Sequence, residues 1–376
     1  MDDKALKYME LALELARKAL GRTSPNPMVG AVVVKDGRIV GKGYHARAGT
    51  PHAEIHALRE AGEDASGATL YVTLEPCCHH GRTGPCTEAV IQAGIKKVVM
   101  AMADPNPLVA GKGAQKLRAS DIEVSCGVLE AEARRLNEVF IKYISTGLPY
   151  VVLKTAMTLD GKIATAGGES KWITGPRARE QVHQLRDRYD AILVGIGTVL
   201  ADDPSLTARL PDREGRDPVR VILDSRAATP PGAKILTQNS EAQTIIVTTG
   251  EAPQGNVEQL ENAGAVVLKM SGNSAGIALP DLLRELAKRE ITSVLVEGGA
   301  RVNGSFVRDK LVDKVFWYIA PKIIGGSKAP CPVGGPGIEL LKDALQVENI
   351  EVHKLGNDIC IEGYVVRGGP DVYRIS

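Results

Sequence analysis

The sequence is poor in aromatic residues, which make up 4% of its 376 positions. It also has few cysteines, six in all, and no excess of one charge, with 46 Lys and Arg against 45 Asp and Glu and a net charge of +1. No apolar run reaches the roughly 18 residues of a membrane-spanning helix. Each shortage excludes something. A nucleic-acid groove needs a basic stripe interleaved with stacking rings, and neither is present, although a small basic pocket for one phosphate stays open. Six cysteines are too few for a disulfide scaffold at this length. The chain opens on Asp2-Asp3-Lys4 and an amphipathic pattern, without the charged start and apolar core of a signal peptide, so the expected compartment is the cytoplasm. What remains, 44% hydrophobic and 24% charged residues, suits a globular enzyme. The length predicts two domains.

Three of the cysteines cluster, at 77, 78 and 86, after a His52-Ala53-Glu54 triplet. One His, a nearby Glu and two spaced cysteines are the parts of a catalytic zinc site. Three N/S ligands leave zinc's fourth position to water, whose pKa falls there from about 15.7 to about 7. His52 and His56 are four apart, the spacing of a metalloprotease HExxH helix. That motif puts its base directly after the first His, where this chain has Ala53. Glu54 instead follows two residues on, and positions two apart on a regular helix do not face the same way. Glu54 is therefore a poor ligand and a suitable proton carrier for a deamination. The competing reading is a structural zinc staple, which usually takes four protein ligands in Cys-x-x-Cys pairs. Here the pair is Cys77 and Cys86, with Cys78, His79 and His80 as spare donors between them. Cys78 reads as a packing residue, and His56 as a hydrogen-bonded helix histidine.

Periodicity predicts a helix over 4–20, a hairpin of strands 29–34 and 39–44 turning at Asp36-Gly37, and a helix from His52. A strand at 69–74 then leads to Pro76-Cys77, and Cys86 opens a helix ending near Gly94. A strand at 97–102, a helix near 113–120, a strand at 122–125 and a helix at 130–142 complete a mixed sheet with helices on its faces. The metal residues fall at strand ends and helix starts, where open α/β sheets keep their sites. The best linker is Ser145-Thr146-Gly147-Leu148-Pro149, so the expected domains are 1–145 and 146–376. The second half restarts with a strand at 150–157 and a helix at 176–189 capped by Thr174. Buried strands follow at 191–195, 219–224, 244–248, 265–270 and 293–297, with helices at 282–288 and 303–310. A closing antiparallel pair spans 315–319 and 359–366. Gly195-Ile196-Gly197 and Glu297-Gly298-Gly299 follow strands, as dinucleotide-binding turns do, but neither matches G-x-G-x-x-G. Arg226, after Asp224-Ser225, suits a 2′-phosphate and equally a plain surface loop.

His-Ala-Glu with Pro-Cys…Cys resembles the H-x-E…P-C-x-x-C signature of the cytidine-deaminase superfamily. The second cysteine comes late, because the segment with His79-His80-Gly81-Arg82-Thr83-Gly84-Pro85 widens the spacing. With Ser24-Pro25-Asn26-Pro27 and Gly43-Tyr44-His45, the chain is similar to the bifunctional deaminase/reductase family of riboflavin biosynthesis over nearly its whole length. The second half carries further matches: Lys154-Thr155-Ala156-Met157-Thr158-Leu159-Asp160-Gly161, Ser170-Lys171-Trp172-Ile173-Thr174, Gly197-Thr198-Val199-Leu200-Ala201-Asp202-Asp203-Pro204 and Val296-Glu297-Gly298-Gly299.

The resemblance implies a cytidine-deaminase-like mixed sheet followed by a dihydrofolate-reductase-like α/β domain. It implies one Zn2+ per chain on His52, Cys77 and Cys86, with Glu54 as proton shuttle. Asn26, His45, His79 and Arg82 would hold a ribose phosphate. NADPH would be lined by Ala156, Trp172, Thr198, Asp202, Ser225, Gly299, Ala300, Arg301, Val302, Asn303, Gly304 and Ser305. Lys154, Ser170, Arg186, Leu206, Arg209 and Glu297 would meet the second substrate, with Arg186 and Arg209 suited to its phosphate. The implied reactions are deamination of 2,5-diamino-6-ribosylamino-4(3H)-pyrimidinone 5′-phosphate and NADPH-dependent reduction of the ribose of the product to ribityl. A homo-oligomer, dimer or tetramer, is implied too, and no nucleic-acid or membrane partner. The alternative is a tRNA or nucleoside base deaminase with an unrelated second domain.

Overall fold

The computed structural model describes residues 3–78, 84–106, 109–273 and 276–366. They form two compact units that divide between Leu148 and Pro149.

The first unit runs α1 (Asp3–Arg17), β1 (Gly30–Lys35), β2 (Arg38–Tyr44), α2 (Ala53–Ala61), β3 (Thr69–Val72), α3 (Cys86–Gln92), β4 (Lys97–Met100), α4 (Lys112–Arg118), β5 (Glu123–Cys126), α5 (Glu130–Leu136) and α6 (Glu138–Thr146). Its described strands form a five-stranded sheet in the order β2-β1-β3-β4-β5. β1 is antiparallel to β2 and β3, and β3, β4 and β5 are parallel. Asp36 and Gly37 both take positive φ, 50° and 75°, as a two-residue hairpin turn with right-handed strands requires. The apolar stripe of α1, Met9, Leu13 and Ala16, is buried against the sheet with Val32, Leu70 and Val98.

α2 lies unusually close to the sheet. Its buried face is Ala53, Ala57 and Ala61. Opposite stand two glycines of β2: a Cβ on Gly41 would lie 2.1 Å from the Ala57 carbonyl oxygen, and one on Gly43 2.4 Å from that of Ala53. Small residues on both sides set the depth of α2, and therefore of the His52 and Glu54 side chains at its start. The single helix expected over 130–142 is broken at Asn137, whose Oδ1 accepts from Met28 N at 2.8 Å and whose Nδ2 donates to Met28 O at 3.0 Å. This buried amide ties the Pro25-Asn26-Pro27 loop to the helices, and the kink lets it face that way.

The second unit runs β6 (Tyr150–Thr158), α7 (Pro176–Arg188), β7 (Ala191–Gly195), α8 (Ile196–Asp202), β8 (Val219–Leu223), α9 (Lys234–Thr237), β9 (Thr244–Thr248), α10 (Gln254–Asn262), β10 (Val266–Lys269), β11 (Gly272–Asn273), β12 (Gly276–Ile277), α11 (Leu279–Lys288), β13 (Ser293–Val296), α12 (Ala300–Arg308), β14 (Lys314–Ala320), β15 (Val347–Leu355) and β16 (Asp358–Val365). The described strands make a nine-stranded sheet, β10-β9-β8-β7-β13-β6-β14-β16-β15, and a small β11-β12 pair. From β10 to β14 every neighbour is parallel; β16 and β15 close the sheet antiparallel. β7 and β9 are buried at every position, as strands covered on both faces must be.

Thr174 is not the cap of α7. Gly175 holds that position with extended backbone, and the Thr174 carbonyl accepts from Arg179 Nη1 at 2.6 Å. α8, α10 and β15 carry weak periodic signals, which is why the pattern misses them. α10 buries only Leu260, and β15 is half-buried at best.

Gly43→Ala tests the packing of α2. Overpacking of this kind costs about 1–3 kcal/mol. The expected outcome is a lower first unfolding transition in calorimetry together with reduced zinc content, because the same helix start carries His52.

Candidate functional site

Three elements of the first unit converge on one group. His52 sits just before α2 in extended backbone, with φ −73° and ψ 165°. Its carbonyl accepts from His56 N at 3.3 Å as the first bond of the helix, but the His56 side chain does not join the donor group, so the protease pairing is not formed. Cys77 lies in the turn after β3, and Cys86 is the first residue of α3. His52 Nδ1 stands 3.2 Å from Cys86 Sγ and 3.6 Å from Cys77 Sγ, and the Cys86 backbone N–H donates to Cys77 Sγ at 3.3 Å. Tetrahedral zinc with bonds of about 2.0–2.3 Å sets neighbouring donors roughly 3.5 Å apart, so the trio fits that ion. Among the described residues, neither Cys78 nor His56 joins this group.

The charges support the fit. The hydrogen bond from Cys86 and that from His52 hold the Cys77 thiol down at about 4 against burial. The same bond, with burial and the nearby Glu54, pushes Cys86 up. One sulfur is thus held as an anion and the other kept protonated, and a divalent cation would let both be thiolates. Glu54 is 3 % exposed. Burial, then the Cys77 thiolate, raises its carboxyl to about 7, the range of an acid–base group that both takes and gives a proton near neutrality.

Asn26 and His45 stand beside the trio. Asn26 Nδ2 is 3.1 Å from His45 Nε2, and His45 Nδ1 is 3.2 Å from Pro51 O. The His45 and His52 rings meet edge to face at 5.3 Å. Burial lowers the His45 pKa, which keeps the ring neutral and able to accept the Asn26 amide. His79 and Arg82 lie outside the described residues. Sequence reasoning missed Glu75. This buried carboxylate accepts backbone N–H bonds from Asp104 at 3.1 Å, Gly111 at 3.0 Å and Ala114 at 2.9 Å, and so ties the 104–114 segment to the turn that carries Cys77. Its one signal is an acidic residue in an otherwise apolar strand end.

The second unit contains a cleft of about 1390 Å³. It opens at the carboxyl ends of β6, β7, β8 and β13, where parallel sheets bind ligands. Of the residues expected on the cofactor, Ala156, Trp172, Thr198, Asp202, Ser225, Gly299, Ala300, Arg301, Val302 and Ser305 line it. Asn303 and Gly304 do not. Asn303 donates to Pro332 O at 2.8 Å, and a Cβ on Gly304 would meet Gly334 O at 1.9 Å, so both face the interior side of α12. Of the substrate set, Lys154, Ser170, Arg186, Arg209 and Glu297 line the cleft, while Leu206 is buried in the core at φ 55°. Part of the glycine-rich turns serves packing: a Cβ on Gly298 would reach Val302 Cβ at 2.5 Å, whereas Gly299 meets nothing.

Glu297 organises one end of this cleft. Arg186 donates to it twice, from Nε at 2.7 Å and Nη2 at 3.0 Å, and Lys154 Nζ donates at 3.2 Å. Burial pushes the carboxyl up, but Arg186 and Lys154 outweigh it and hold the pKa down at about 2. Elsewhere Asp202 pairs with Lys171 at 3.2 Å, and the Arg179 guanidinium lies over the Trp172 ring at 4.7 Å. His183, which also lines the cleft, was not foreseen. Its only cue is its place one turn before Arg186.

Residues 149–361 match the family model for the RibD C-terminal domain, and residues 2–102 that for the cytidine and deoxycytidylate deaminase zinc-binding region. The riboflavin biosynthesis protein RibD of Aquifex aeolicus is 50% identical over 354 residues, covering 94% of this chain and 96% of that protein. That of Actinobacillus pleuropneumoniae is 47% identical over 361 residues, 96% of this chain and 95% of that one. Among solved structures, Acinetobacter baumannii RibD superposes with a TM-score of 0.88 at 42% identity, covering 97% of this chain and 99% of its own. A Thermotoga maritima diaminohydroxyphosphoribosylaminopyrimidine deaminase/5-amino-6-(5-phosphoribosylamino)uracil reductase gives 0.82 at 43%, covering 96% and 99%.

Two outcomes follow from these charges. Cys86→Ser lowers bound zinc from one equivalent per chain to a small fraction, read by metal analysis after gel filtration. Glu297 is depressed from 4.5 to about 2, so its contribution to stability is whole above about pH 4.5 and is lost as pH falls towards 2. Both tryptophans, Trp172 and Trp317, lie in the second unit. Their fluorescence should therefore show a falling melting temperature across that window, and Glu297→Gln should flatten the slope while lowering stability at pH 7.

Proposed function

The chain belongs to the RibD family of riboflavin biosynthesis, and from that premise we propose how its residues divide the work. It is a bifunctional enzyme acting on phosphorylated pyrimidines. One half is a zinc-dependent deaminase of 2,5-diamino-6-ribosylamino-4(3H)-pyrimidinone 5′-phosphate. The other is an NADPH-dependent reductase of 5-amino-6-(5-phosphoribosylamino)uracil. A tRNA or nucleoside base deaminase with an unrelated second domain is not favoured, because residues 149–361 match the same family.

The observation that carries the deaminase assignment is buried Glu54 beside the three-donor group of His52, Cys77 and Cys86. Bound zinc supplies a water acidified to about 7. Glu54 takes a proton from that water as it attacks the amine-bearing ring carbon. It passes that proton to the ring nitrogen, then takes the second proton from the hydroxyl now on the ring carbon and delivers it to the amine, so ammonia departs and a carbonyl remains. Asn26 and His45, with His79 and Arg82, orient the ribose phosphate by charge-assisted hydrogen bonds.

In the second unit, bound NADPH would supply the hydride for C1′ of the ribose once the C1′–O4′ bond has opened to the imine, with O4′ and then the imine nitrogen each ending protonated. Ala156, Trp172, Thr198, Asp202, Ser225 and the Gly299–Ser305 turn hold the cofactor, with Asn303 and Gly304 supporting that turn from behind. Leu206 supports the substrate side in the same way. Glu297 stays ionised, so it orients and does not donate a proton. Lys154 is the neighbouring group with protons to give, while Asp202 is engaged by Lys171. Lys154, Ser170 and Arg209 meet the substrate, and Arg186 holds Glu297.

A homo-oligomer belongs to the same reading, supported by exposed Ile350, Val352 and Ile359 on the β15–β16 edge of the large sheet. So does a cytoplasmic location, which suits six free cysteines and a thiolate metal site. No described helix is long and apolar enough to cross a membrane.

Incubation with the diaminopyrimidine phosphate, with and without NADPH, tests both steps by mass. Ammonia should be released without NADPH, and the ribityl product should need it. Glu54→Gln should lose about 10²–10⁴-fold in ammonia release. Intact release in that variant, or equal NADPH oxidation without pyrimidine, would contradict the assignment.

A further inference from the structure

We propose that Glu75 is a positioning residue for the zinc site: its buried carboxylate fixes the turn that carries Cys77, and through that turn the place of both sulfur donors. Metal retention then depends on a residue outside the donor trio. This rests on the zinc-dependent reading above and extends it.

Glu75 is buried and stands two residues before Cys77. A buried carboxylate needs hydrogen-bonding partners, and here they are backbone N–H groups. Oε2 accepts from Asp104 N at 3.1 Å and Gly111 N at 3.0 Å, and Oε1 accepts from Ala114 N at 2.9 Å. Gly111 and Ala114 belong to the start of α4, whose first N–H groups have no partner within the helix. The carboxylate therefore fastens α4 to the turn after β3. Glu75 is also held by its own backbone, whose N–H donates to Met102 O at 3.1 Å. The fit is close: a Cβ on Gly113 would lie 2.2 Å from Pro76 O and 3.1 Å from Glu75 Oε1.

That anchorage reaches the sulfurs through a short, stiff path. Pro76 alone separates Glu75 from Cys77, and its ring locks φ, so little rotational freedom lies between the anchored residue and the donor. Cys77 O in turn accepts from Thr87 N at 3.1 Å, and Cys86 N donates to Cys77 Sγ at 3.3 Å. α3, which begins at Cys86, is therefore registered on the same turn. The carboxylate sets the place of Cys77 directly and that of Cys86 through it. His52 comes from the start of α2, so closure of the trio depends on how firmly the turn is held against that helix. Donors fixed before the ion arrives lose less freedom on binding it. Residues that orient metal ligands from outside are worth about 10–100-fold in metal affinity. A half-exposed pair, Lys116 Nζ and Glu88 Oε1 at 2.8 Å, links α4 to α3 by another route and supplies the contrast.

The test is the zinc affinity of the full chain, read by competition with a chromophoric chelator. Glu75→Gln keeps the shape but turns an amide NH2 towards at least one of the three N–H donors. It should weaken zinc binding about 10–100-fold. In the cobalt-loaded protein it should shift or weaken the thiolate-to-cobalt charge-transfer bands. Lys116→Ala should leave zinc affinity within about twofold, as loss of a surface pair does. Melting of the second unit, followed by Trp172 and Trp317, should not move in either variant. A second measurement needs no substitution. Coupling is reciprocal, so removing zinc from the wild type should speed hydrogen exchange in peptides carrying the Gly111 and Ala114 amides. Wild-type zinc affinity and cobalt bands in Glu75→Gln overturn the proposal. So does equal weakening by Lys116→Ala, or exchange at those amides that is indifferent to zinc. A wild type that binds no zinc removes the zinc reading and this proposal together.

Discussion

Glu297 is a carboxylate that burial opposes and two cations retain, and the second unit's cleft is arranged around it. Its side chain is 7% exposed, at the end of a parallel strand buried throughout. Buried charge is tolerable only when paired and hydrogen-bonded. Arg186 must therefore reach over from α7 and Lys154 from β6, which fixes the spacing of both elements at that end of the sheet. The Lys154 amine and the Glu297 carboxylate form a polar floor at that end of the cleft, and the carboxylate stays ionised there.

The first unit meets the same constraint with a different solution. Two thiols and an imidazole lie close enough to bind one ion, and a cation there would let both sulfurs be thiolates. Glu54, buried beside them with no ion pair among the described residues, has its carboxyl raised to about 7 by burial and the Cys77 thiolate. Two buried glutamates thus come to opposite states: one is held as an anion, while the other titrates near neutrality. Environment alone makes that difference.

Glycine and alanine settle where these groups stand. Gly41 and Gly43 let the alanine face of α2 sink onto β2, which sets the position of His52. Gly298 lets α12 pack through Val302 against the strand that carries Glu297. The first site therefore depends on glycines that lie outside the metal trio. The two reactions are consecutive on one phosphorylated compound, which is a chemical reason for one chain to carry both.

The sequence by itself determined the three donors that meet at one point, His52, Cys77 and Cys86, and the order of the strongly periodic elements. Those signals are local: ligand chemistry at short spacing, and apolar periodicity along buried helices and strands. It also named most of the cleft-lining residues through family resemblance. Tertiary structure decided what depends on partners distant in the chain. Arg186 carries only its charge as a signal in the sequence, and its pairing with Glu297, 111 residues away, appears only in the fold. Asn137 read as mid-helix until its amide met Met28, 109 residues away. Glu75 carried no motif at all. Its role comes from burial and from the backbone groups facing it, which are not written in the spacing of one segment.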